Sequence, residues 1–114
     1  MPIAIASSRQ ALADTYKTLG SWISVHTGDP GTAGDNEASG GSPAYARKQT
    51  TWTSGTGGVV TGSQVAIDVP PGTYTFMGVW NAASGGTMVD KQPIGSNVFN
   101  GQSQLLLTPT FTQL

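Results

Sequence analysis

The sequence of 114 residues contains no cysteine, a single histidine and few charged side chains. Without cysteine, neither a disulfide framework nor a thiolate metal site can form. Charged residues make up only 10% of the chain, with five Lys and Arg against six Asp and Glu, whereas an ordinary soluble domain has roughly 25%. Such a sparse and balanced set of charges does not create the basic field on which nucleic-acid binding depends. We therefore expect no nucleic-acid partner.

Long apolar runs and targeting signals are also lacking. No stretch approaches the ~20 apolar residues that a bilayer-spanning helix needs. The first eight residues, Met-Pro-Ile-Ala-Ile-Ala-Ser-Ser, have neither the basic start nor the apolar length of a signal peptide. The sequence thus predicts no membrane partner and synthesis in the cytoplasm. Its length is most simply that of one domain, spanning 1–114.

Glycine is abundant, most visibly between two short strand-like runs at 22–26 and 49–53. The intervening segment, 28–43, is dense in Gly, Pro, Asp and Asn, which favour turns and tolerate positive φ. A loop longer than about 12–15 residues is uncommon in a small domain and is usually functional or disordered. We therefore expect a scaffold that carries a long, shaped loop.

One helix is predicted, over 8–19. Ser7 and Gln10 have the spacing of a capping box, and Leu12, Tyr16 and Leu19 fall on one stripe of a helical wheel. Gly20 stands where a helix often ends in the left-handed conformation. The preceding residues, 1–6, are uncharged and mostly apolar, and are predicted to form an extended arm.

The remainder, within a β domain over 21–114, reads as short strands. In 65–69 apolar residues alternate with others, which predicts a strand with one buried face. Pro70, Pro71 and Gly72 end that strand. The next run, 73–80, is apolar on both sides, which is typical of a central strand. We expect its two faces to carry Tyr74, Phe76 and Trp80 on one side and Thr75, Met77 and Val79 on the other.

The last third predicts a hairpin loop at 81–86, a strand near 87–91 and an irregular segment at 93–100. Ile94, Val98 and Phe99 are the expected anchors of that segment. In 105–114, Leu105, Leu107 and Phe111 are placed to share a face, and Pro109 favours an edge strand or a bulge. Together these patterns predict a mainly β fold, an antiparallel β-sandwich or small barrel with one N-terminal helix and a long Gly-rich loop.

The single histidine limits hydrolase chemistry. A Ser-His-Asp triad would need His26, with Asp29 or Asp35 as its orienting carboxylate, but no Gly-x-Ser-x-Gly elbow is present. A structural hydrogen-bonding role for His26 is the alternative that we prefer.

A glycosidase with paired carboxylates is the other enzymatic alternative. The six acidic residues of so short a chain form pairs by chance, and no deep cleft is expected in a small sandwich. Trp22, Trp52 and Trp80 would stack on sugars if exposed, but such large side chains at strand positions favour burial. We expect no enzyme.

Acidic side chains cluster in the long loop. Asp29, Asp35 and Glu37 are candidates for a Ca²⁺ site, but their spacing does not match the EF-hand loop. The alternative is structural: Asp29 closes the Pro-Gly turn, and Glu37 or Asp35 pairs with Arg47 or Lys48. We prefer this second interpretation and expect no metal or cofactor. The loop-anchoring candidates are His26, Asp29, Glu37, Tyr45 and Arg47.

Several motifs occur in a fixed order: Val-His-Thr-Gly-Asp-Pro-Gly at 25–31, Gly-Asp-Asn-Glu at 34–37, Gly-Gly at 40–41 with Tyr-Ala-Arg at 45–47, Thr-Trp at 51–52, Pro-Gly-Thr-Tyr-Thr at 71–75 and Gly-Val-Trp-Asn-Ala-Ala-Ser-Gly-Gly at 78–86. With them, the chain from about 4 to 89 resembles a family of small tailed-phage virion proteins. Members are common in phages of actinobacteria and are labelled tail-fibre, minor tail or head decoration proteins. The resemblance implies a structural, non-enzymatic protein of the virion, made in the host bacterial cytoplasm.

The labels of that family differ in the location that they imply. Because one small domain without a fibrous repeat or coiled coil cannot make a long fibre, we expect a decoration protein on the capsid surface. A minor tail or tail-fibre-associated protein with a receptor- or carbohydrate-binding role is the alternative. Expected partners are the major capsid protein or tail proteins, and further copies of the chain. The interface candidates are the apolar residues Pro2, Ile3, Ile5, Leu105 and Leu107.

Overall fold

The computed structural model describes residues 2–114, in which one helix precedes nine strands. The elements are α1 (Ala6–Tyr16), β1 (Trp22–His26), β2 (Lys48–Gln49), β3 (Trp52–Ser54), β4 (Val59–Gly62), β5 (Val65–Val69), β6 (Gly72–Trp80), β7 (Met88–Phe99), β8 (Ser103–Leu107) and β9 (Thr110–Thr112). This confirms the predicted mainly β fold with one N-terminal helix. In this part of the chain, no helix is both long and apolar enough to cross a membrane.

The strands form three antiparallel sheets that pack as a small sandwich. The largest sheet has the order β2-β1-β6-β7, the second β3-β4-β9, and β5 pairs with β8 in a two-stranded ribbon. The core lies where the inner face of the four-stranded sheet meets this ribbon. Its buried members are Ile23, Val25, Ala38, Val65, Ile67, Val69, Tyr74, Met77, Val79 and Leu105. The strict alternation of burial along β5 matches its predicted pattern.

β6 departs from simple alternation. Between Tyr74, which lies opposite Asn97, and Phe76, which lies opposite Pro93, the pairing leaves two extra residues on β7. This irregularity interrupts the alternation of faces along β6, where Tyr74 and Met77 are both buried. The prediction that Tyr74 shares a face with Phe76 and Trp80 is therefore wrong. Tyr74 instead packs into the core with Met77 and Val79.

The segment predicted as irregular, 93–100, is mostly strand. β7 runs on to Phe99, which pairs with Gly72. Pro93 is tolerated because β7 forms an edge of its sheet, where one side of the strand has no partner to lose. Ile94 and Phe99 pack against the core as anchors, but Val98 is 63% exposed and was wrongly predicted as one.

The helix begins two residues before the predicted start and ends three before the predicted end. Ile5 is its N-cap residue and contributes no side-chain cap, so the predicted capping box is wrong. Gln10 instead bonds to the β3–β4 hairpin, where its Oε1 accepts from the main-chain N–H groups of Gly58 (2.9 Å) and Val59 (3.1 Å). Gln10 therefore bonds to the hairpin and not to the helix N-terminus, where the capping box would have placed its side chain.

Of the predicted stripe, Tyr16 faces the protein, but the two leucines do not. Ala13 is fully buried, whereas Leu12 and Leu19 are 48% and 47% exposed. Gly20 does not adopt the predicted left-handed conformation. It is required for a close approach, because an added Cβ would lie 2.5 Å from the carbonyl oxygen of Trp80.

A second apolar cluster holds the helix on the sheet formed by β3, β4 and β9. The ring of Tyr16 stacks on Phe111 at 3.9 Å between centroids and meets Trp52 edge-on at 5.6 Å. The prediction that Phe111 shares a face with Leu105 is therefore wrong. Pro109 lies between β8 and β9, and β9 joins a different sheet from β8. The edge position predicted for this segment is confirmed.

Both predicted interface elements, the C-terminal leucines and the N-terminal arm, differ from their predictions. Leu105 is only 5% exposed and belongs to the core, so it is not an interface residue, and Leu107 packs against the same core. The predicted arm is shorter, since the helix already starts at Ala6. The carbonyl oxygen of Ile3 accepts a hydrogen bond from Nη1 of Arg9 at 2.6 Å, and Met1 lies outside the described residues.

Candidate functional site

The long loop between β1 and β2 turns back along β1 and is bonded to it. His26 and Glu37 form an antiparallel bridge, and the N–H of Ala38 donates to the carbonyl oxygen of Val25 at 3.0 Å. Asp29 closes the first turn of the loop, where its Oδ1 accepts from the N–H of Gly31 at 2.8 Å. The loop is thus a folded part of the domain with defined anchors.

Arg47, at the end of the loop, is the centre of the site. Its side chain is 7% exposed and forms a bidentate pair with Glu37, Nε to Oε2 at 2.8 Å and Nη2 to Oε1 at 2.9 Å. Nη1 donates to the carbonyl oxygens of Ala82 (3.0 Å) and Gly85 (2.9 Å) in the β6–β7 hairpin loop. The guanidinium carbon lies 3.6 Å from the ring centroid of Trp80. One side chain therefore joins the long loop, the hairpin loop and the sheet, as the planar fork of arginine allows.

Tyr45 adds a third hydrogen bond to the Glu37 carboxylate. Its hydroxyl donates to Oε2 of Glu37 at 2.7 Å and accepts from the N–H of Val25 at 3.3 Å. Burial alone would raise the pKa of the Glu37 carboxyl, but the hydrogen bonds from Arg47 and Tyr45 outweigh it and hold that pKa below its usual value. Burial and the Glu37 carboxylate raise the pKa of Tyr45. Glu37 is consequently ionised and Tyr45 protonated at neutral pH.

A buried chain of hydrogen bonds lies beneath the loop. Nε1 of Trp80 donates to Oγ of Ser24 at 2.8 Å, and Oγ lies 2.6 Å from Nε2 of His26. Nδ1 of His26 lies 2.8 Å from the carbonyl oxygen of Asp35. A carbonyl only accepts, so Nδ1 must carry the proton, Nε2 accepts, and the hydroxyl of Ser24 donates to it. The chain of donors runs from Trp80 through Ser24 to His26.

Ser24 and His26 are as close as a catalytic nucleophile and its base, but their surroundings do not suit catalysis. Both residues are 0% exposed, so a substrate cannot reach the hydroxyl. Nδ1 of His26 is held by a main-chain carbonyl, whereas the orienting group of a triad is the carboxylate of an acidic residue. Burial lowers the pKa of His26, which keeps the ring neutral. The arrangement fixes the fold of the loop.

The acidic residues of the loop are held apart. Asp29 pairs with Lys91 at 2.6 Å, while Glu37 is bound by Arg47 and Tyr45. Between residues 2 and 114, no three His, Cys, Asp or Glu side chains come close enough to hold a metal ion. The structure does not bring Asp29, Asp35 and Glu37 together as the Ca²⁺ alternative requires.

A cleft of about 320 Å³ lies next to the Arg47 and Glu37 pair. Its lining residues are Glu37, Ala38, Tyr45, Ala46, Arg47, Ala83, Ser84 and Gly85. Trp80 is 5% exposed under Arg47 and offers no stacking surface to a sugar. Trp52 packs on Tyr16 and donates through Nε1 to the carbonyl oxygen of Gly20 at 2.9 Å. Only Trp22 among the tryptophans is half-buried without such a contact to another aromatic ring.

Three residues of the site were not among the predicted loop-anchoring residues. Ser24 is a polar residue inside an apolar strand, which was the available signal for a buried hydrogen bond. Trp80 was predicted to be buried, but no local sequence pattern indicated that the Arg47 side chain would pack on its ring. Gly34, with φ +84, lets the loop approach the Trp80 ring, since an added Cβ would lie 2.3 Å from Cη2.

Comparison with known proteins gives one result. No curated protein and no solved structure matches the chain at a significant level. The sequence model of one family, described as "Podophage GP4 fiber I protein gp80", matches residues 12–102. The matched region contains the whole loop, Arg47, Trp80 and the strands that carry them. Because the match extends over most of the chain, this protein belongs to the podophage GP4 fiber I protein gp80 family of phage structural proteins.

Proposed function

We propose that this protein is a non-enzymatic structural component of a podophage tail fibre. The observation that carries the proposal is the family match over residues 12–102, because that family is described as a fibre protein. The sequence alone favoured decoration of the capsid surface, with a tail-fibre-associated protein as the alternative. The family description supports the alternative and adds nothing to the capsid location.

The elongated shape of the domain and the hydrogen-bonded loop support a structural role. The body measures 46 × 24 × 23 Å, about twice as long as it is wide. Arg47 ties the long loop to the hairpin loop and to Trp80, so the loop keeps one shape without a ligand. The Ser24 and His26 pair is sealed from solvent, which favours a structural over a catalytic role.

Localisation on intact particles tests this proposal. A short epitope tag after Leu114, which is 70% exposed, would be labelled with gold-conjugated antibody on purified virions and imaged by electron microscopy. We expect gold along the tail fibres, with an antibody against the major capsid protein as the head control. Gold distributed over the icosahedral head would overturn the proposal and restore the decoration alternative.

A further inference from the structure

The bend between β7 and β8 contains the pair Asn100 and Gly101, and no other asparagine of the chain precedes a glycine. The other asparagines, Asn36, Asn81 and Asn97, each precede a residue that carries a side chain. A residue without a side chain leaves its own main-chain nitrogen open to the side chain before it. The sequence therefore sets Asn100 apart from the other three.

Hydrogen bonding sets Asn100 apart a second time. Nδ2 of Asn36 donates to a main-chain carbonyl at 3.2 Å, and Oδ1 of Asn81 accepts from a main-chain N–H at 2.8 Å. Nδ2 of Asn97 donates to two carbonyls, at 3.1 and 3.2 Å. Asn100 is exposed, and within residues 2–114 its amide makes no such bond. Its side chain is thus free to turn toward the chain that follows.

The nitrogen of Gly101 is equally free. Its N–H donates to no main-chain group among residues 2–114, and no atom lies within 4 Å of the position that an added Cβ would take. Gly101 belongs to neither of the two flanking strands. An unpaired nitrogen in a short glycine-containing bend can meet the side chain before it without breaking a ladder of hydrogen bonds.

We propose that Asn100 is a site of spontaneous deamidation, in which the chain supplies the nucleophile and water is the only other reactant. The main-chain nitrogen of Gly101 gives up its proton and bonds to the side-chain carbonyl carbon of Asn100, which closes a cyclic imide. The bond from that carbon to the amide nitrogen breaks, and the nitrogen leaves with the proton as ammonia. Water then opens the imide at either carbonyl, so that position 100 becomes aspartate or isoaspartate.

The modification alters the contact of this bend with the long loop. Gln102 accepts through Oε1 from the N–H of Ser42 at 3.1 Å and donates through Nε2 to the carbonyl oxygen of Pro43 at 3.1 Å. In isoaspartate the main chain runs through the former side-chain carbonyl and is longer by one methylene. Because Gln102 is only two residues from this change, its amide is displaced from the loop and both hydrogen bonds weaken.

Ageing of the purified chain in warm, mildly alkaline buffer tests the site. The formal net charge is −1, so isoelectric focusing resolves the added negative charge, with Asn100→Asp as the marker. We expect the acidic species to form faster as the pH rises, because the attacking nitrogen must lose its proton. Peptide mapping by mass spectrometry should place the change at Asn100, with Asn36, Asn81 and Asn97 as internal controls. No acidic species, or equal conversion at all four asparagines, would overturn the proposal.

Gly101→Ala is the matched variant. The open space at Gly101 accepts a methyl group, and its φ lies outside the left-handed region, so we expect the fold to be kept. The methyl group crowds the attacking nitrogen and should slow the reaction on the order of tenfold, the factor that about 1.4 kcal/mol in the barrier produces. An unchanged rate in a folded Gly101→Ala chain would overturn the proposal, since the nitrogen of residue 101 would then not be the nucleophile.

Hydrogen exchange tests the effect on the loop. The N–H of Ser42 should exchange faster in the aged chain than in the fresh chain, and Gln102→Ala shows the rate when the contact is absent. The N–H of Ala38, which is bonded to Val25, is the control and should be unchanged in all three samples. An aged chain in which Ser42 keeps the fresh rate would overturn the inferred weakening of the Gln102 contact.

Discussion

The central carbon of the Arg47 guanidinium lies over the ring of Trp80, 3.6 Å from its centroid. The two residues are far apart in the sequence, one at the end of the long loop and the other at the end of β6. Their contact closes the loop over the outer face of the four-stranded sheet. The same guanidinium is paired with Glu37, so attraction to the ring and to the carboxylate act together.

Replacing Arg47 with Ala should lower the free energy of unfolding by about 3 kcal/mol, because removing one member of a largely buried ion pair leaves the other without a partner. Arg47→Lys keeps the charge but not the planar fork, so its loss should be smaller but clear. Equilibrium unfolding in urea at pH 7 measures both.

Lys91→Ala is the control for this prediction. Lys91 also pairs with a carboxylate, but that pair is solvent-exposed, at 38% for Lys91 and 62% for Asp29, so its loss should change stability little. A loss for Arg47→Ala no larger than that of Lys91→Ala would contradict the central place of Arg47.

His26 should not titrate near its ordinary pKa in the folded protein. Burial lowers the pKa of His26 in the folded state, while the unfolded chain binds a proton near pH 6.5. Stability from this residue is therefore complete above about pH 6.5 and declines as the pH falls from there toward the folded-state pKa. Because the chain has a single histidine, the NMR signal of its ring Cε1–H reports on this group alone.

The unfolded chain supplies the comparison. In denaturing urea the same signal should shift with a midpoint of about 6.5, and in the native protein the midpoint should lie lower. A native midpoint at the unfolded value would mean that the buried chain of hydrogen bonds from Trp80 through Ser24 does not hold His26.

Tyr16 links the helix to β7 through a single hydroxyl, which donates to Oδ2 of Asp90 at 2.8 Å. Tyr16→Phe removes this hydrogen bond and keeps the stacking on Phe111, so we expect a loss of about 1 kcal/mol. Tyr16→Ala also removes the aromatic contacts and should cost about 3 kcal/mol. Thr15→Ala, at the neighbouring exposed position, should stay close to the parent in the same urea measurement; a comparable loss there would assign the effect to the helix backbone.

The sequence predicted those strands whose pattern is local. The alternation in 65–69 and the breaks at Pro70 and Pro71 require no knowledge of neighbours, and β5 has the expected faces. The sequence did not predict the second half of β7 because Pro93 suggested a strand end. A proline interrupts a strand only where a neighbouring strand would need a hydrogen bond from its N–H group. An edge position removes that need, and edge positions are a property of the whole sheet.

The helix and the site show the same limit. Leu12 and Leu19 form an apolar stripe that would ordinarily face the core, yet the buried position is Ala13. Side-chain hydrogen bonds of Gln10 and Arg9 to the β3–β4 hairpin orient the helix instead. Similarly, Glu37 and Arg47 were candidates to anchor the loop, but neither the stacking on Trp80 nor the bonds to Ala82 and Gly85 has a signal in the sequence.

Gly34 should be the least replaceable glycine of the loop. It has φ +84, and an added Cβ would lie 2.3 Å from Cη2 of Trp80. Gly40 has nearly the same φ, +83, with no atom near the position of an added Cβ. Gly40→Ala therefore measures the backbone strain alone, about 1–2 kcal/mol. Gly34→Ala adds the clash with the ring, about 1–3 kcal/mol more, and should change the near-ultraviolet circular dichroism of the tryptophans. Equal losses for the two variants would show that the loop yields without disturbing Trp80, and the packing of the loop on that ring would then contribute little to the stability of the domain.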